Sequence, residues 1–222
     1  MPIVKFYPLI DPGIQLLPGQ SAIQNITVGD YSCIRKTSTT SDAMEKCNMK
    51  LNHLFDVLWL QLADLYSVER QLARTLPHMI ESAQSLLLKG AMHIQVHETE
   101  EQIRRLEQVG YLIGSPLAEE TCSAMTQLIE NEMEIADSDG NRAAIDAGLI
   151  AAAQRIVHYE IAAYGTAVAC AQLICEGEVS DLLSKALGEK KSADRMLNRI
   201  AILSVNPQAA EQAHAFAAPA AK

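Results

Sequence analysis

The chain has 222 residues, 49% of them apolar and 20% charged, ordinary composition for a globular protein with one substantial core. Its net charge of −9 and pI near 5.1 offer no basic stripe to displace counterions from phosphates, which argues against nucleic acid and for attraction of cations. No apolar run reaches the roughly 18 to 20 residues that span a bilayer, and MPIVKFYPLIDPG lacks the features of a secretory leader, so the expectation is a cytoplasmic protein without membrane contact.

Residues 1–48 differ in kind from the rest of the chain. They hold Pro2, Pro8, Pro12 and Pro18, β-type runs IVKFY and IQNITV, and turn signals at DPG, PGQ and GDY. This predicts an extended or β-rich arm. A two-strand ribbon is marginal alone, so the arm is expected to pack on the bundle or on a neighbouring subunit. The five cysteines are odd in number and form no CxxC pair, which disfavours a disulfide framework or a thiolate zinc site.

From residue 49 to 203 the helical period takes over, with helices expected at about 50–75, 77–83, 85–112, 119–136, 143–176 and 178–203. The breaks follow Pro77, the GYLIGSP and DSDGN turns and the region of Gly177. Residues 204–222, Ala-rich with two prolines, read as a flexible tail. Four long helices and a short crossover helix make an all-α bundle.

Within the helical period, Glu69, Glu98, Glu160 and Glu189 each fall inside an apolar stripe spaced three and four residues apart, the spacing of one buried helix face. The first stripe is Leu58, Leu62, Leu65, Glu69, Leu72, Leu76. The third is Leu149, Ala153, Ile156, Glu160, Ala163, Ala167, and the last Leu182, Ala186, Glu189, Ala193, Met196, Ile200. The second is less regular, since Gln102 falls between Glu98 and Leu106. Burying ionised carboxylates costs several kcal/mol unless something compensates, so four converging acids imply a shared cation or shared protons. Tyr66 and Tyr164, three before Glu69 and four after Glu160, read as core tyrosines bonded to those acids. Glu130, Glu132 and Glu134 read as a solvated acidic face.

The segments DLYSVERQL, HETEEQIRRLEQV, LIAAAQRIVHYEIAAYGTA and LGEKKSAD resemble the YciE/YciF family of bacterial ferritin-like proteins over about residues 49–203. The resemblance implies a ferritin-like four-helix bundle, commonly dimeric, with a dinuclear metal site between the helices, in stress-related proteins of poorly defined activity.

Ferritin-like di-iron sites take a Glu from each of two helices and a Glu-x-x-His pair from each of the other two. Glu69, Glu98, Glu160 and Glu189 match the glutamates, but Glu101 and Ser192 stand where the histidines belong. Two readings are open. One is a dinuclear iron or manganese site made of the four glutamates with Glu101 as a fifth oxygen ligand, in a protein handling oxygen, peroxide or metal. The other is a structural or assembly protein, homo-oligomeric through its arm, with a degenerate or empty site.

Overall fold

The computed structural model describes residues 51–117, 121–175 and 177–217. Every regular element among them is helical: α1 (Leu54–Ser82), α2 (Leu86–Leu112), α3 (Ser123–Ala136), α4 (Arg142–Ile174), α5 (Gly177–Ile200) and, after a π turn at Ala201–Val205, α6 (Asn206–Ala217). The expected arm lies outside the described residues.

Local chemistry sets the ends of these helices. Ahead of α1, Asp56 Oδ2 accepts from the backbone N–H groups of Asn52 and His53 at 2.7 and 3.0 Å, satisfying donors that a helix start leaves open. Ser85 caps α2 by accepting from the N–H of Leu88 at 3.3 Å, and Asn141 caps α4 by accepting from the N–H groups of Ala143 and Ala144. The chain leaves α2 through Gly114, whose φ of 67° suits a residue without Cβ. Trp59 then pins the exit by donating to Ser115 Oγ at 2.8 Å. The turn from α1 to α2 is tied to α4 by buried Asp146, which accepts from the N–H groups of Gln84 and Ser85 at 2.8 and 2.7 Å.

α1 packs against α2 and α4, and α5 against the same two, so the four long helices close a bundle; α3 lies across α4 and α1. Two elements depart from the sequence expectation. α1 runs through Pro77 without a break, because Leu76 and Met79 on either side of it are buried in the core and hold the last turns in register. Residues expected to begin a flexible tail continue instead as the π turn and α6, with Val205 buried and Pro207 in the first turn, where its missing N–H costs nothing.

The core is not continuous. One apolar cluster gathers Phe55, Leu58, Leu62, Leu106, Tyr164 and Leu183; another gathers Leu72, Met79, Leu88, Met125, Leu149 and Leu197. Between them lies a layer of fully buried polar side chains: Glu69 on α1, Thr99 and Gln102 on α2, Glu160 on α4 and Lys190 on α5.

Candidate functional site

The polar layer arises from the faces each helix turns inward. On α1 the buried residues follow the stripe read from the sequence, and on α4 they follow it except at half-buried Ala153, with Glu69 and Glu160 at the centres. On α5 the buried face is Leu183, Ala186, Lys190, Ala193, Leu197 and Ile200, one residue out of phase with the expected stripe, so Lys190 rather than Glu189 enters the core. On α2 it is Leu88, Met92, Gln95, Thr99, Gln102, Leu106 and Val109, and Thr99 takes the place expected for Glu98.

The four predicted glutamates therefore meet as two pairs. Glu69 and Glu160 flank the Lys190 ammonium, which stands 2.6 Å from Glu160 Oε1 and 3.3 Å from Glu69 Oε2. The Tyr164 hydroxyl donates to Glu69 Oε1 at 2.9 Å, as expected of a core tyrosine, whereas Tyr66 turns to Glu107. Glu189 lies at the edge of the layer. Arg105 NH1 and NH2 grip its two oxygens at 2.6 and 2.8 Å, and Gln102 adds a third bond at 3.0 Å. Glu98 is half-buried and accepts from Gln95 at 3.0 Å. Glu101 points away from the layer, exposed and paired with Arg104. His158, also exposed, pairs with Asp194.

Burial and charge shape the titration of these groups. Desolvation raises the Glu98 carboxyl, and the nearby Glu189 adds to it. Desolvation also raises Glu160, against the pull of Lys190. Burial alone would pull the Lys190 ammonium down, but Glu160 and Glu69 outweigh it and hold Lys190 above its ordinary value. The two carboxylates thus favour the charged form of the lysine that lies between them.

One buried acid overturns the sequence expectation. Glu132 on α3, expected on a solvated face, is fully buried, and neither oxygen has a hydrogen-bond partner among the described residues. Its neighbours Glu130 and Glu134 are exposed as expected. Desolvation pushes Glu132 up to about 8, with Arg155 pulling weakly the other way. With Gln95, Thr99 and Glu160 it lines a cavity of ≈ 30 Å³, room for a water molecule. The signal is present in the sequence, since Met125, Ile129, Glu132 and Ala136 share one helix face, all four buried.

A dinuclear metal centre would need these carboxylates free to bridge and nitrogen ligands beside them. Here the gap between Glu69 and Glu160 holds an ammonium, Glu189 is committed to a guanidinium, and Glu101 faces outward. Among the described residues no group of three or more His, Cys, Asp or Glu is arranged to hold a metal ion. The donor set is matched to the chain's own cations and does not fit a pair of metal ions. No helix among the described residues is long and apolar enough to cross a membrane.

An all-α bundle divided by a charged layer is the class that fold and site define. The family model described as a domain of unknown function, DUF892, matches residues 53–210, and the chain belongs to that family. Protein YciF of Escherichia coli K12 is 36% identical over 166 residues, covering 74% of this chain and all of that protein. The crystal structure of the E. coli stress protein YciF superposes with a TM-score of 0.67 at 36% identity, covering 70% of this chain and 99% of that one. YcfI from Rhodopseudomonas palustris gives 0.66 at 34%, with the same coverage.

Proposed function

We propose that this protein is a structural, self-associating member of its family, in which a ferritin-like scaffold keeps its buried acids but neutralises them with Lys190 and Arg105 in place of metal ions. The carrying observation is the Lys190 ammonium between Glu69 and Glu160, in the position a bridging cation would take. A catalytic dinuclear centre needs an open coordination position and a redox-active ion. A lysine that occupies the bridging position and a guanidinium that takes both oxygens of Glu189 remove that opening. The R. palustris relative, described as "a putative structural protein", supports the same reading.

Metal analysis of protein purified without chelator tests the proposal. The wild-type chain is expected to hold well under one equivalent of iron or manganese, while Lys190→Ala, which uncovers the carboxylates, gains affinity for divalent cations. About two equivalents in the wild type, lost together when Glu69, Glu98, Glu160 and Glu189 are replaced by Ala, would establish the dinuclear reading instead.

A further inference from the structure

The middle of the bundle holds more buried acid than buried base. Glu69, Glu132 and Glu160 are all fully buried, and among the described residues Lys190 is the one cation buried to the same degree. Lys190 lies between Glu69 and Glu160, so Glu132 on α3 faces the small cavity beside the layer without a cation in contact. Arg155 on α4 acts on it from a distance without bonding it.

The elements around the cavity differ in what they offer. α1 and α5 turn apolar side chains to it, Met79 and Leu197 among them; α2 offers Gln95 and Thr99, α3 Glu132 and α4 Glu160. Both oxygens of Glu132 and Thr99 Oγ1 have no hydrogen-bond partner, and Glu160 Oε1 touches Lys190 outside hydrogen-bond geometry. All of these are oxygens able to accept. No unpartnered donor nitrogen lines the cavity, since the Gln95 amide already donates to Glu98.

We infer that the cavity is a binding site for one ammonium ion, held by Glu132, Thr99 and Glu160. Size admits it, because ammonium is close to a water molecule in volume and the cavity of ≈ 30 Å³ has room for one such body. Hydrogen bonding selects it. An ammonium group only donates, and does so in several directions at once, which complements a wall of unpartnered acceptors. Charge separates it from water, which would bond to some of the oxygens and leave the Glu132 carboxylate uncompensated; buried charges persist where they are both paired and hydrogen-bonded. An alkali-metal ion asks for a fuller shell of oxygens than a cavity otherwise walled by Leu72, Met79 and Ile156 supplies. The net charge of −9 draws cations to the protein, and half-buried Glu98, bonded to Gln95 in the cavity wall, extends the line of acceptors toward solvent. This site goes beyond the self-associating role proposed above and does not depend on it.

Urea unfolding of the full chain, freed of metal by chelator and followed by Trp59 fluorescence, tests the site. Desolvation pushes Glu132 up to about 8, so at that pH about half of it is ionised while ammonium keeps its charge. Chlorides of ammonium, potassium and tetramethylammonium are compared at equal ionic strength, which makes screening common to all three. Ammonium should lower the unfolding constant by a factor that grows with its concentration, reaching roughly tenfold at about ten times its dissociation constant, while the other two salts leave it nearly unchanged. Glu132→Gln should abolish the ammonium effect and Thr99→Val should weaken it. A second measurement needs no variant: isotope-labelled ammonium bound to the wild type should show magnetic contacts to the methyl groups of Met79 and Met92, which line the cavity. Equal effects from all three salts would mean that the cavity holds only water and a proton, and would overturn the assignment. Potassium acting as strongly as ammonium, manganese chloride stabilising in its place, or an ammonium effect that survives Glu132→Gln would each overturn it as well.

Discussion

At the scale of single residues, two side chains decide how the core tolerates charge. Lys190 is fully buried and yet stays protonated, because Glu160 and Glu69 outweigh its desolvation. Removing one partner of such a set leaves an uncompensated buried charge, which typically costs 3–5 kcal/mol, whereas removing the charges together is close to neutral. Lys190→Met is therefore expected to lower stability by about 3–5 kcal/mol in urea titrations, and adding Glu69→Gln and Glu160→Gln to recover most of that loss. An unchanged midpoint for Lys190→Met would show that the ammonium compensates nothing.

Glu132 has no such partner, and its proton binding ties stability to pH. The folded protein holds that proton up to about pH 8, while the unfolded chain releases it near the ordinary value of 4.5. Between those limits the folded state binds more protons, so stability falls as pH rises and the full penalty is present above 8. Glu132→Gln is expected to flatten this decline and to be more stable than the wild type by on the order of 2–4 kcal/mol at pH 9, while differing little at pH 4. Parallel stability profiles for the two proteins from pH 4 to 9 would refute it. Some slope remains in the variant, because desolvation raises Glu160 in the same direction.

At the scale of elements, the sequence made the four long helices legible and misplaced two of their faces. α1 offers one apolar stripe, which turned inward, and on α4, apolar on more than one side, the stripe through Glu160 also faces the core. α5 offers two, because Leu182 and Leu183 both start a stripe through Ala186, Ala193 and Ile200. Only the central and flanking residues differ, and a lysine at the centre argues against burial until its two acidic partners on other helices are known. α2 has the same ambiguity, with a polar buried face of Gln95, Thr99 and Gln102 that apolar periodicity cannot detect. Tertiary pairing, absent from any one helix, chose the phase.

Helix contacts also decide which glycines are free. A Cβ on Gly148 of α4 would come within 2.8 Å of Ile135 Cγ2 on α3, while one on exposed Gly188 of α5 would meet nothing within 4 Å. Replacing Gly by Ala in a helix interior gains roughly 0.5–1 kcal/mol. Gly188→Ala should realise that gain, and Gly148→Ala should forfeit it and fall below the wild type as α3 is pushed off α4. Thermal melts of the two variants would separate these outcomes, and equal gains at both sites would show that α3 yields freely.

At the scale of the molecule, the polar layer divides the core but not the helices. α1 and α4 contribute buried residues to the apolar clusters on both sides of it, and so do α2 and α5. Neither cluster can open without breaking helices that also build the other, so the described bundle is expected to unfold as one cooperative unit. The protein's single tryptophan makes this measurable: Trp59 is buried in one cluster, so its fluorescence reports that end, while far-UV circular dichroism reports all the helices. The two transitions should coincide. They should also be unmoved by chelator, because the cation that compensates the buried acids is Lys190 and leaves only when the chain unfolds. A fluorescence transition that precedes the loss of helix would mean that the layer uncouples the two cores, and a midpoint lowered by chelator would mean that a metal ion shares the role assigned to the lysine.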